Sequence, residues 1–454
     1  MLASTDWGSD SSTLLKLYRS LIRSKLDYGS IVYGSARKSY LQMLDTIHHQ
    51  GLRLALGAFR TSPVESLYVE AGEPSLSLRR KKLALQYAIR ISANRKNPTR
   101  NVVFKPSYIE KYISKPKEIK PIGLRLNDDF KYLGITTKSI LQNINDEIPP
   151  WTYKSPQVDI SLSKFKKSSI SPEVFKEEFT KIKVKYQDFN ALYTDGSKDD
   201  DKVGCAVFGN HFTSNTRLPK SASIFTAEIK AIDLALSYIE QQQRNKFIIF
   251  SDSLSVLLSI NNKKTDNALI KQLLLRFNDI LETKSIILCW IPSHVGISGN
   301  EKVDALAKES LKLLPIDIKL PNSDFRPSIN NLIKSKWQST WNESVLNKLH
   351  DINPDVSFAP SFTLSNRRDQ VKISRLRIGH TRVTHSHLLN REEAPFCIPC
   401  NEIFSVKHFL LECHDLTDTR QKFYNVQSLR DLFNTVPSNV LIQYLKETNL
   451  FSKI

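Results

Sequence analysis

Four acidic residues in the middle of the chain occupy positions from which metal-dependent hydrolysis could be carried out. Asp195 and Asp252 each follow a short apolar run, while Glu228 lies near the start of a helical stretch. Asp304 lies inside a later helical stretch. Carboxylates gathered in one pocket repel one another unless cations lie between them, and hard oxygen ligands suit Mg²⁺ or Mn²⁺. We therefore predict two such ions, bound by Asp195, Glu228, Asp252 and Asp304.

Two divalent ions about 3.5–4 Å apart can activate water and stabilise a leaving oxygen, so these acids predict phosphodiester hydrolysis. His294, in a Ser-His-Val-Gly loop, lies ten residues before Asp304, where a mobile imidazole could move protons. Any one of the acids alone is explained more simply as a helix cap, a turn residue or a surface charge. The full set, together with His294, favours a catalytic site.

The elements that must position these residues form an α/β pattern between about Asp188 and Leu314. Strands are predicted for FNALYTDGS, GCAVFG, HFTSNTRLP, KFIIFSDS and SIILCWI, and helices for SASIFTAEIKAIDLALSYIEQQ, Leu254–Ile260, Ala268–Leu281 and a stretch from Gly299 past Ala307. The order β-β-β-α-β-α-α-β-α predicts a mixed sheet flanked by helices. Asp195 and Asp252 then fall at the carboxyl ends of strands, where open α/β sheets bind ligands.

The flanking residues have a different texture. Helical periodicity runs from Ser12 to about Arg95, and includes Ser39–Leu56 and a basic run at Arg79-Arg80-Lys81-Lys82. A Lys-, Ser- and Pro-rich stretch with KPKEIKP and EIPPW then predicts a linker with short ordered pieces. The expected divisions are a helical region (1–96), a linker (97–185), the α/β domain (186–314), a helical basic connector (315–380) and a Cys/His module (381–454).

A second candidate metal site lies near the C-terminus. Cys397, Cys400, His408 and Cys413 form the pattern C-x₂-C-x₇-H-x₄-C, which is typical of a closed tetrahedral zinc site. The alternative is that the thiols are buried small hydrophobes. A structural zinc module with basic residues nearby could also hold nucleic acid; the residues in question are Arg375, Arg377, Arg382 and Arg391.

The charge balance points to a polyanionic partner. Lys and Arg number 65 against 46 Asp and Glu, a formal net charge of +19, and nucleic acid is the commonest partner of so basic a protein. An anionic membrane is the rival, but no apolar stretch approaches the roughly 18 residues of a membrane span. The polar start MLASTDWGSDSS lacks the apolar segment of a secretion signal. We expect an intracellular protein, in the cytoplasm or nucleus, and the sequence leaves its oligomeric state open.

The motifs YTDGS, TAEIKAI, FSDS and WIPSHVGISGNEKVDALAK resemble those of the type 1 ribonuclease H family, and most closely the version carried by jockey-like non-LTR retrotransposons. The resemblance implies that the four acids are the metal-binding catalytic set and that His294 assists proton transfer or product release. It also implies that Asn300 is a polar neighbour in the substrate groove. The implied reaction is endonucleolytic cleavage of the RNA strand of an RNA–DNA hybrid, leaving a 3′-hydroxyl and a 5′-phosphate.

Two departures from the family pattern bear on substrate recognition. Ile224, Phe225 and Leu254 stand where family members carry the amide side chains that read the minor groove. Recognition would therefore rest on backbone and hydroxyl groups, for which Ser197 and Ser253 are the candidates. The basic helical protrusion of some members is also absent, because only the short Asn261–Asn267 link separates two helices.

The N-terminal LLKLYRSLIRSKLDYGSIVYGSA resembles the thumb end of a reverse transcriptase, and the C-terminal Cys/His segment resembles one that follows the ribonuclease domain in jockey-like elements. The paired aspartates of a polymerase palm are missing. We interpret Leu126-Asn127-Asp128-Asp129 as a loop and Asp199-Asp200-Asp201 as a solvated turn. The chain then corresponds to the distal portion of a retroelement polyprotein.

Three functions are consistent with these patterns. The first is an active hybrid ribonuclease, which the complete acid set favours. The second is a catalytically weak or inactive, retroelement-derived nucleic-acid-binding protein, which the missing minor-groove side chains favour. The third is an integrase or junction resolvase, against which the helix-borne Glu228 between two strand-end aspartates argues.

Overall fold

The computed structural model describes residues 4–105, 107, 109–115, 118–144, 149, 152–165, 170–262, 265–360, 364 and 366–454. KPKEIKP, EIPPW and the Asn261–Asn267 link fall partly outside these described residues. The chain divides into two compact units: a first unit of residues 1–87, 108–125 and 329–454, and a second of residues 88–107 and 126–328. The second unit contains the four predicted acids, and the first contains the Cys/His cluster.

Helices dominate the first unit, and strands and helices alternate in the second. The α-helices are α1 (Ser11–Leu17), α2 (Ser24–Asp27), α3 (Ser30–Tyr33), α4 (Lys38–Leu56), α5 (Val64–Ala71), α6 (Leu76–Ser92), α7 (Thr99–Phe104), α8 (Ile109–Ser114), α9 (Ile122–Leu133), α10 (Pro172–Lys185), α11 (Ile224–Gln241), α12 (Leu254–Asn261), α13 (Ala268–Ile280), α14 (Ser298–Ser310), α15 (Arg326–Asn342), α16 (Lys348–Ile352), α17 (Arg367–Ile378), α18 (Arg382–His385), α19 (His387–Asn390), α20 (Thr417–Phe423), α21 (Leu429–Thr435) and α22 (Ser438–Glu447). The strands are β1 (Gln157–Asp159), β2 (Asn190–Asp199), β3 (Lys202–Gly209), β4 (Phe212–Leu218), β5 (Lys246–Ser251), β6 (Ser285–Trp290), β7 (Phe396–Cys397) and β8 (Glu402–Ile403).

The second unit is built on a six-stranded mixed sheet of order β1-β6-β5-β2-β3-β4. β2, β3 and β4 pair antiparallel in succession, as expected for strands joined by short turns. β5 pairs parallel with both β2 and β6. The predicted α/β class, the five predicted strands and their order with the helices are thereby confirmed.

Helices cover both faces of this sheet because its inner strands are apolar on both sides. In β5, Phe247 and Ile249 pack in the core beneath α11, α12 and α13, while Ile248 and Phe250 pack in the core beneath α10 and α14. This alternation follows from the two-residue period of a strand. The continuous apolar run KFIIF is the sequence signature of such a doubly covered strand.

The structure corrects the expectation of a linker over the second half of residues 97–185. β1 pairs parallel with β6, with Gln157 opposite Ile287, and forms the edge of the sheet. α10 packs against the sheet through Phe175, Phe179 and Ile182. Neither element could be recognised in the sequence. A three-residue strand shows no periodicity, and the apolar residues of α10 are interspersed with lysines and glutamates along the sequence.

Of the two acidic runs that were interpreted as a turn and a loop, the structure agrees with only the first. Asp199, Asp200 and Asp201 are exposed at the turn between β2 and β3, as predicted. The prediction of a loop at Leu126–Asp129 is wrong, because these residues lie within α9. Leu126 and Phe130 are buried on one face of that helix, and this spacing of four residues is helical rather than strand-like.

The first unit joins the N-terminal helices to the C-terminal third of the chain. Arg367, at the start of α17, is 4% exposed and donates to the carbonyls of Leu54 and Ala55 at the end of α4. In the basic run of α6, Arg79 pairs with Asp27 at 2.7 Å. This arginine therefore acts inside the unit rather than on a solvated face. No helix of the described residues is both long and apolar enough to cross a membrane.

Phe175→Ala tests whether α10 is part of the sheet domain. Phe175 is 1% exposed, so its truncation should lower the free energy of unfolding of the second unit by about 3–5 kcal/mol through the cavity it leaves. Val184→Ala, at a 63% exposed position of the same helix, is the matched control and should change that free energy by less than about 0.5 kcal/mol. Hydrogen exchange of β5 and β6 amides in urea measures both. Equal protection in the two variants would show that α10 is a dispensable attachment.

Candidate active site

Asp195 and Asp252 lie side by side because of the register between β2 and β5. These strands are parallel, and Thr194 lies opposite Ser251. Asp195 directly follows Thr194, and Asp252 directly follows Ser251, so the two aspartates lie at neighbouring positions of the sheet. They lie at the edge formed by the carboxyl end of β5, as the sequence predicted for Asp252. Asp195 lies inside β2 rather than at its end, because that strand continues to Asp199.

Glu228 reaches the same edge from α11, because that helix approaches β2 closely. A Cβ atom added at Gly196 would lie 3.0 Å from the Cβ of Ala227 and 3.0 Å from the backbone nitrogen of Glu228. A glycine after Asp195 is therefore what lets the helix lie against the strand. Ser223 caps the helix, since its hydroxyl accepts from the Thr226 N–H at 3.1 Å.

These three acids form one cluster. Carboxylate oxygens of Asp195, Glu228 and Asp252 all lie within 4.8 Å of one another. Asp195 is 6% exposed and Glu228 is 7% exposed. The convergence predicted from three separate stretches of sequence is present for these three residues.

Burial makes the negative charge of the cluster costly. Desolvation raises the pKa of Asp195 to about 8, and the charges of Asp252 and Asp304 add to this shift. Desolvation also raises the pKa of Glu228, with Asp195 and Asp252 contributing. The pKa of Asp252 is raised by burial too, although a hydrogen bond from Asn300 and the charge of His294 oppose the shift. The protein alone therefore does not stabilise three ionised carboxylates at this point.

The cluster fits hard divalent cations. Its ligand atoms are oxygens only, which suits Mg²⁺ or Mn²⁺ rather than a softer metal. Oε2 of Glu228 is buried without a hydrogen-bond partner, and a buried carboxylate oxygen without a partner is costly unless a cation or a donor meets it. A cation would satisfy this oxygen and remove the repulsion that raises the pKa values.

Asp304 lies beside the cluster and is not part of it. Its carboxylate pairs with Lys308 at 2.7 Å, one turn later on α14, and its side chain is 22% exposed. Its charge raises the pKa of both Asp195 and Asp252, so it lies within electrostatic reach of them. Three of the four predicted acids thus share a pocket, and the fourth is paired with a lysine, a pairing that the i, i+4 spacing in KVDALAK could have suggested.

His294, in the loop between β6 and α14, and Asn300, in the first turn of α14, both act on Asp252. His294 is exposed and has a positive φ of 54°, a sparsely populated and strained backbone conformation for a residue other than glycine. Asn300 is 3% exposed and its Oδ1 has no partner. Asn300 therefore supports Asp252 from within the protein, whereas the sequence predicted that it borders an open groove.

The other predicted substrate contacts lie around the cluster. Ser197 and Ser253 are both partly exposed, and Ser253 directly follows Asp252 at the start of α12. Ile224 is 44% exposed, and Leu254 is partly exposed. Apolar side chains therefore occupy accessible positions near the acids, as the sequence indicated.

The Cys/His cluster in the first unit is also assembled. Ligand atoms of Cys397, Cys400, His408 and Cys413 all lie within 4.8 Å of one another. The sulfur of Cys413 lies 4.0 Å from that of Cys397 and 3.9 Å from that of Cys400. The β7–β8 hairpin presents the first two cysteines, and a π-helical turn over His408–Glu412 brings His408 close to Cys413. Three thiols and an imidazole in this arrangement suit zinc.

Glu402 is a member of this site that the sequence analysis missed. Nδ1 of His408 lies 3.2 Å from the Glu402 carboxylate, and Nε2 of His408 is buried without a partner. A histidine that ligates a metal commonly donates its other N–H to a carboxylate. The fit to zinc therefore extends beyond the four ligands.

The arginines near this cluster are not all available for nucleic acid. Arg375 donates to the carbonyls of Gly57 and Ile454, and Arg377 pairs with Glu70 at 3.0 Å with its side chain 12% exposed. Arg382 and Arg391 are exposed. The hypothesis of a basic surface here therefore applies to these last two residues only.

Comparison with known proteins finds similarity in the part of the chain that carries the acids. The RNase H family model matches residues 188–312. Ribonuclease H1 of Homo sapiens is 27% identical over 145 residues, which are 28% of this chain and 51% of that protein. Ribonuclease H1 of Rattus norvegicus is 26% identical over 141 residues, 27% of this chain and 50% of that protein. The crystal structure of RNase H1 from the halophilic archaeon Halobacterium salinarum NRC-1 is 20% identical, with a TM-score of 0.23, over 27% of this chain and 96% of that one.

The chain spans about half the length of the curated relatives that it matches. The matched residues contain β2 to β6 and all the predicted acids, whereas β1, α10 and the Cys/His cluster lie outside them. Residues 188–312 of this chain form an RNase H domain.

Proposed function

We propose that this chain cleaves the RNA strand of RNA–DNA hybrids endonucleolytically with divalent metal ions. The observation that carries the proposal is the cluster of Asp195, Glu228 and Asp252, whose oxygens lie within 4.8 Å of one another at the ligand-binding edge of the sheet. The similarity of residues 188–312 to proteins named Ribonuclease H1 supports it. The net charge of +19 supports a polyanionic substrate.

Asp195, Glu228 and Asp252 would hold Mg²⁺ or Mn²⁺, with Asp304 contributing from the side. When bound, a pair of such ions supplies a Lewis acid for the phosphate, an activated water and charge stabilisation at the leaving oxygen. Lys308 forms an ion pair with Asp304 and so neutralises its charge without any metal. This lysine therefore limits the negative charge that an approaching phosphate would meet.

The chain's own residues then orient the acids and move protons. Asn300 donates to Asp252 and opposes the rise of its pKa, which favours the ionised carboxylate. His294, exposed on its strained loop, is placed to carry a proton toward or away from the reacting phosphate. Ser197 and Ser253 would contact the hybrid, since hydroxyl groups can replace the missing amides as hydrogen-bonding partners.

A catalytically weak nucleic-acid-binding protein is the second candidate. Ile224 and Leu254 favour it, because they offer no hydrogen bond to a minor groove. The assembled acid cluster favours the active enzyme, because a protein that only binds gains nothing from three clustered carboxylates that repel one another.

The Cys/His cluster is proposed to hold one structural zinc ion, and the whole chain to derive from a retroelement and to act inside the cell. The support for zinc is the four-ligand geometry with Glu402 behind His408. The support for a retroelement origin is the resemblance of the motifs and of the Cys/His segment that follows them.

Asp252→Asn tests the hydrolase. The full chain with Mg²⁺ should cleave the labelled RNA strand of a hybrid, and the variant should be slower by at least about 100-fold because a charged ligand of the metal site is lost. Asp279→Asn, at an exposed position of α13, is the matched control and should cleave like the parent. Cleavage by Asp252→Asn at the parental rate, or equal cleavage of plain duplex DNA, would remove the assignment.

Cys400→Ser tests the zinc site. The parent should contain one zinc per chain by plasma mass spectrometry, and the variant should lose it because a closed site needs four ligands. Cys205→Ala removes a thiol that is buried in β3 and should leave the metal content unchanged. Full zinc occupancy in Cys400→Ser would refute the site.

Glu402→Gln tests the carboxylate behind His408. Loss of this charge should weaken zinc binding by about 10–100-fold, because the carboxylate orients the imidazole and raises its basicity. Competition against a chromophoric chelator measures the affinity, and Glu393→Gln, an exposed acid of the same segment, serves as the control. Equal affinities for the two variants would show that Glu402 does not act on the metal.

A further inference from the structure

A segment beyond the family match is fastened to the second unit. Pro315 bridges to Arg217 at the edge strand β4, and Leu320 bridges to Ile140. The backbone of Leu320 makes two hydrogen bonds, with Leu141 at 2.8 Å and with Ser139 at 2.9 Å. The segment therefore follows a fixed course from the end of α14 to the 3₁₀ turn Asn322–Phe325.

Asp324, in that turn, binds the start of α11 through three hydrogen bonds. Its carboxylate accepts from the backbone N–H of Ser223 at 3.1 Å and from the Ser223 hydroxyl at 3.1 Å. It also accepts from the Thr226 hydroxyl at 2.6 Å. Ser223 is the cap of α11 and Thr226 lies in its first turn, so one distant carboxylate fixes both.

The burial of the Asp324 carboxylate is compensated by the groups that it binds. Asp324 is 4% exposed, and burying a carboxylate is costly unless hydrogen bonds or positive charge compensate. Here three donors and the positive end of the α11 dipole compensate. Nothing in the family match requires an acid at this place, because the match ends at residue 312.

The first turn of α11 determines where Glu228 points. Glu228 follows Thr226 by two residues, and with 3.6 residues per turn each residue of shift rotates a side chain by about 100°. Oε2 of Glu228 has no hydrogen-bond partner, and the bond that its carboxylate does accept comes from the backbone of Gly196 in β2. The position of Glu228 therefore depends on how the start of α11 lies against β2. A helix start that frays or shifts would carry Glu228 away from Asp195 and Asp252.

We propose that Asp324 is a positioning residue for the acid cluster: by fixing the start of α11 it holds Glu228 beside Asp195 and Asp252. The inference rests on the proposed function, in that the cluster is taken to bind divalent metal. On this proposal, the residues needed for the active site extend beyond the matched range, to at least residue 324.

A simple helix cap would also stabilise the protein, so stability alone does not test the proposal. Asn267 provides a matched control, because it caps α13 by accepting from the Leu269 N–H at 2.9 Å. α13 carries none of the acids of the cluster. Loss of either cap should lower the unfolding temperature, but only loss of Asp324 should change metal binding.

The experiment titrates Mn²⁺ by calorimetry into the zinc-loaded full chain without nucleic acid, and assays hybrid cleavage on the same samples. Asp324→Ala is expected to weaken Mn²⁺ binding by about 10-fold, the effect of losing an orienting partner behind a metal ligand, and to raise the metal concentration needed for half-maximal cleavage. Asn267→Ala is expected to match the parent within about 2-fold. Asp324→Asn, which keeps the side-chain size, replaces Asp324→Ala if that variant does not fold.

Each outcome decides the proposal. Weaker Mn²⁺ binding in the Asp324 variant alone supports it, even if the parent does not cleave the hybrid, in which case the proposed function fails and the positioning role stands. Equal Mn²⁺ binding by the parent, Asp324→Ala and Asn267→Ala overturns the positioning role, and a parent that still cleaves keeps the proposed function. A parent that binds no Mn²⁺ overturns both.

Discussion

Mutual repulsion among three closely spaced carboxylates, two of them buried, is the constraint on which the second unit depends. Asp195, Glu228 and Asp252 are brought together by a strand register, by a glycine that admits a helix and by a capped helix start. These features hold the acids close together although desolvation and mutual repulsion raise their pKa values. Such a cluster fits a cation, because an opposite charge between the carboxylates relieves their repulsion.

The rigidity needed for this cluster comes from both faces of the sheet. α11, α12 and α13 pack on one face, and α10 and α14 pack on the other. α14 carries Asp304, and the loop before it carries His294, so the second face also supplies chemistry. α10 completes this face from outside the family match, and the segment leading to Asp324 secures the helix of Glu228. Residues on both sides of the RNase H domain thus belong to the same unit.

The strands and their acids could be predicted from the sequence because local signals were strong. FNALYTDGS and KFIIFSDS end their apolar runs at the aspartates, and parallel pairing of such strands brings their carboxyl ends together. The helix that carries Glu228 was predicted from the helical spacing of Ile229, Ile232 and Leu236. The Cys/His spacing was likewise sufficient for its four ligands.

Features set by distant contacts could not be predicted. β1 is three residues long, and it is recognised only by its pairing with β6. Glu402 is an ordinary surface acid in the sequence, and only the fold places it at His408. Asp324 lies almost a hundred residues from the helix that it caps, so no local pattern joins them. Asp304 was grouped with the other acids by its position in the last helical stretch, and its pairing with the lysine one helical turn away was not predicted.

The same electrostatics links the basic surface to the acidic pocket. A net charge of +19 attracts a polyanion over a distance of about 10 Å at moderate ionic strength. Buried carboxylates at the destination would repel the phosphate that arrives. Cations bound by Asp195, Glu228 and Asp252 would remove that repulsion and offer the phosphate a positive partner, so for the proposed substrate the metal is needed for approach as well as for chemistry. The thiol-rich cluster of the first unit does not compete for the same ions, because its soft ligands favour zinc where the oxygen cluster favours magnesium or manganese.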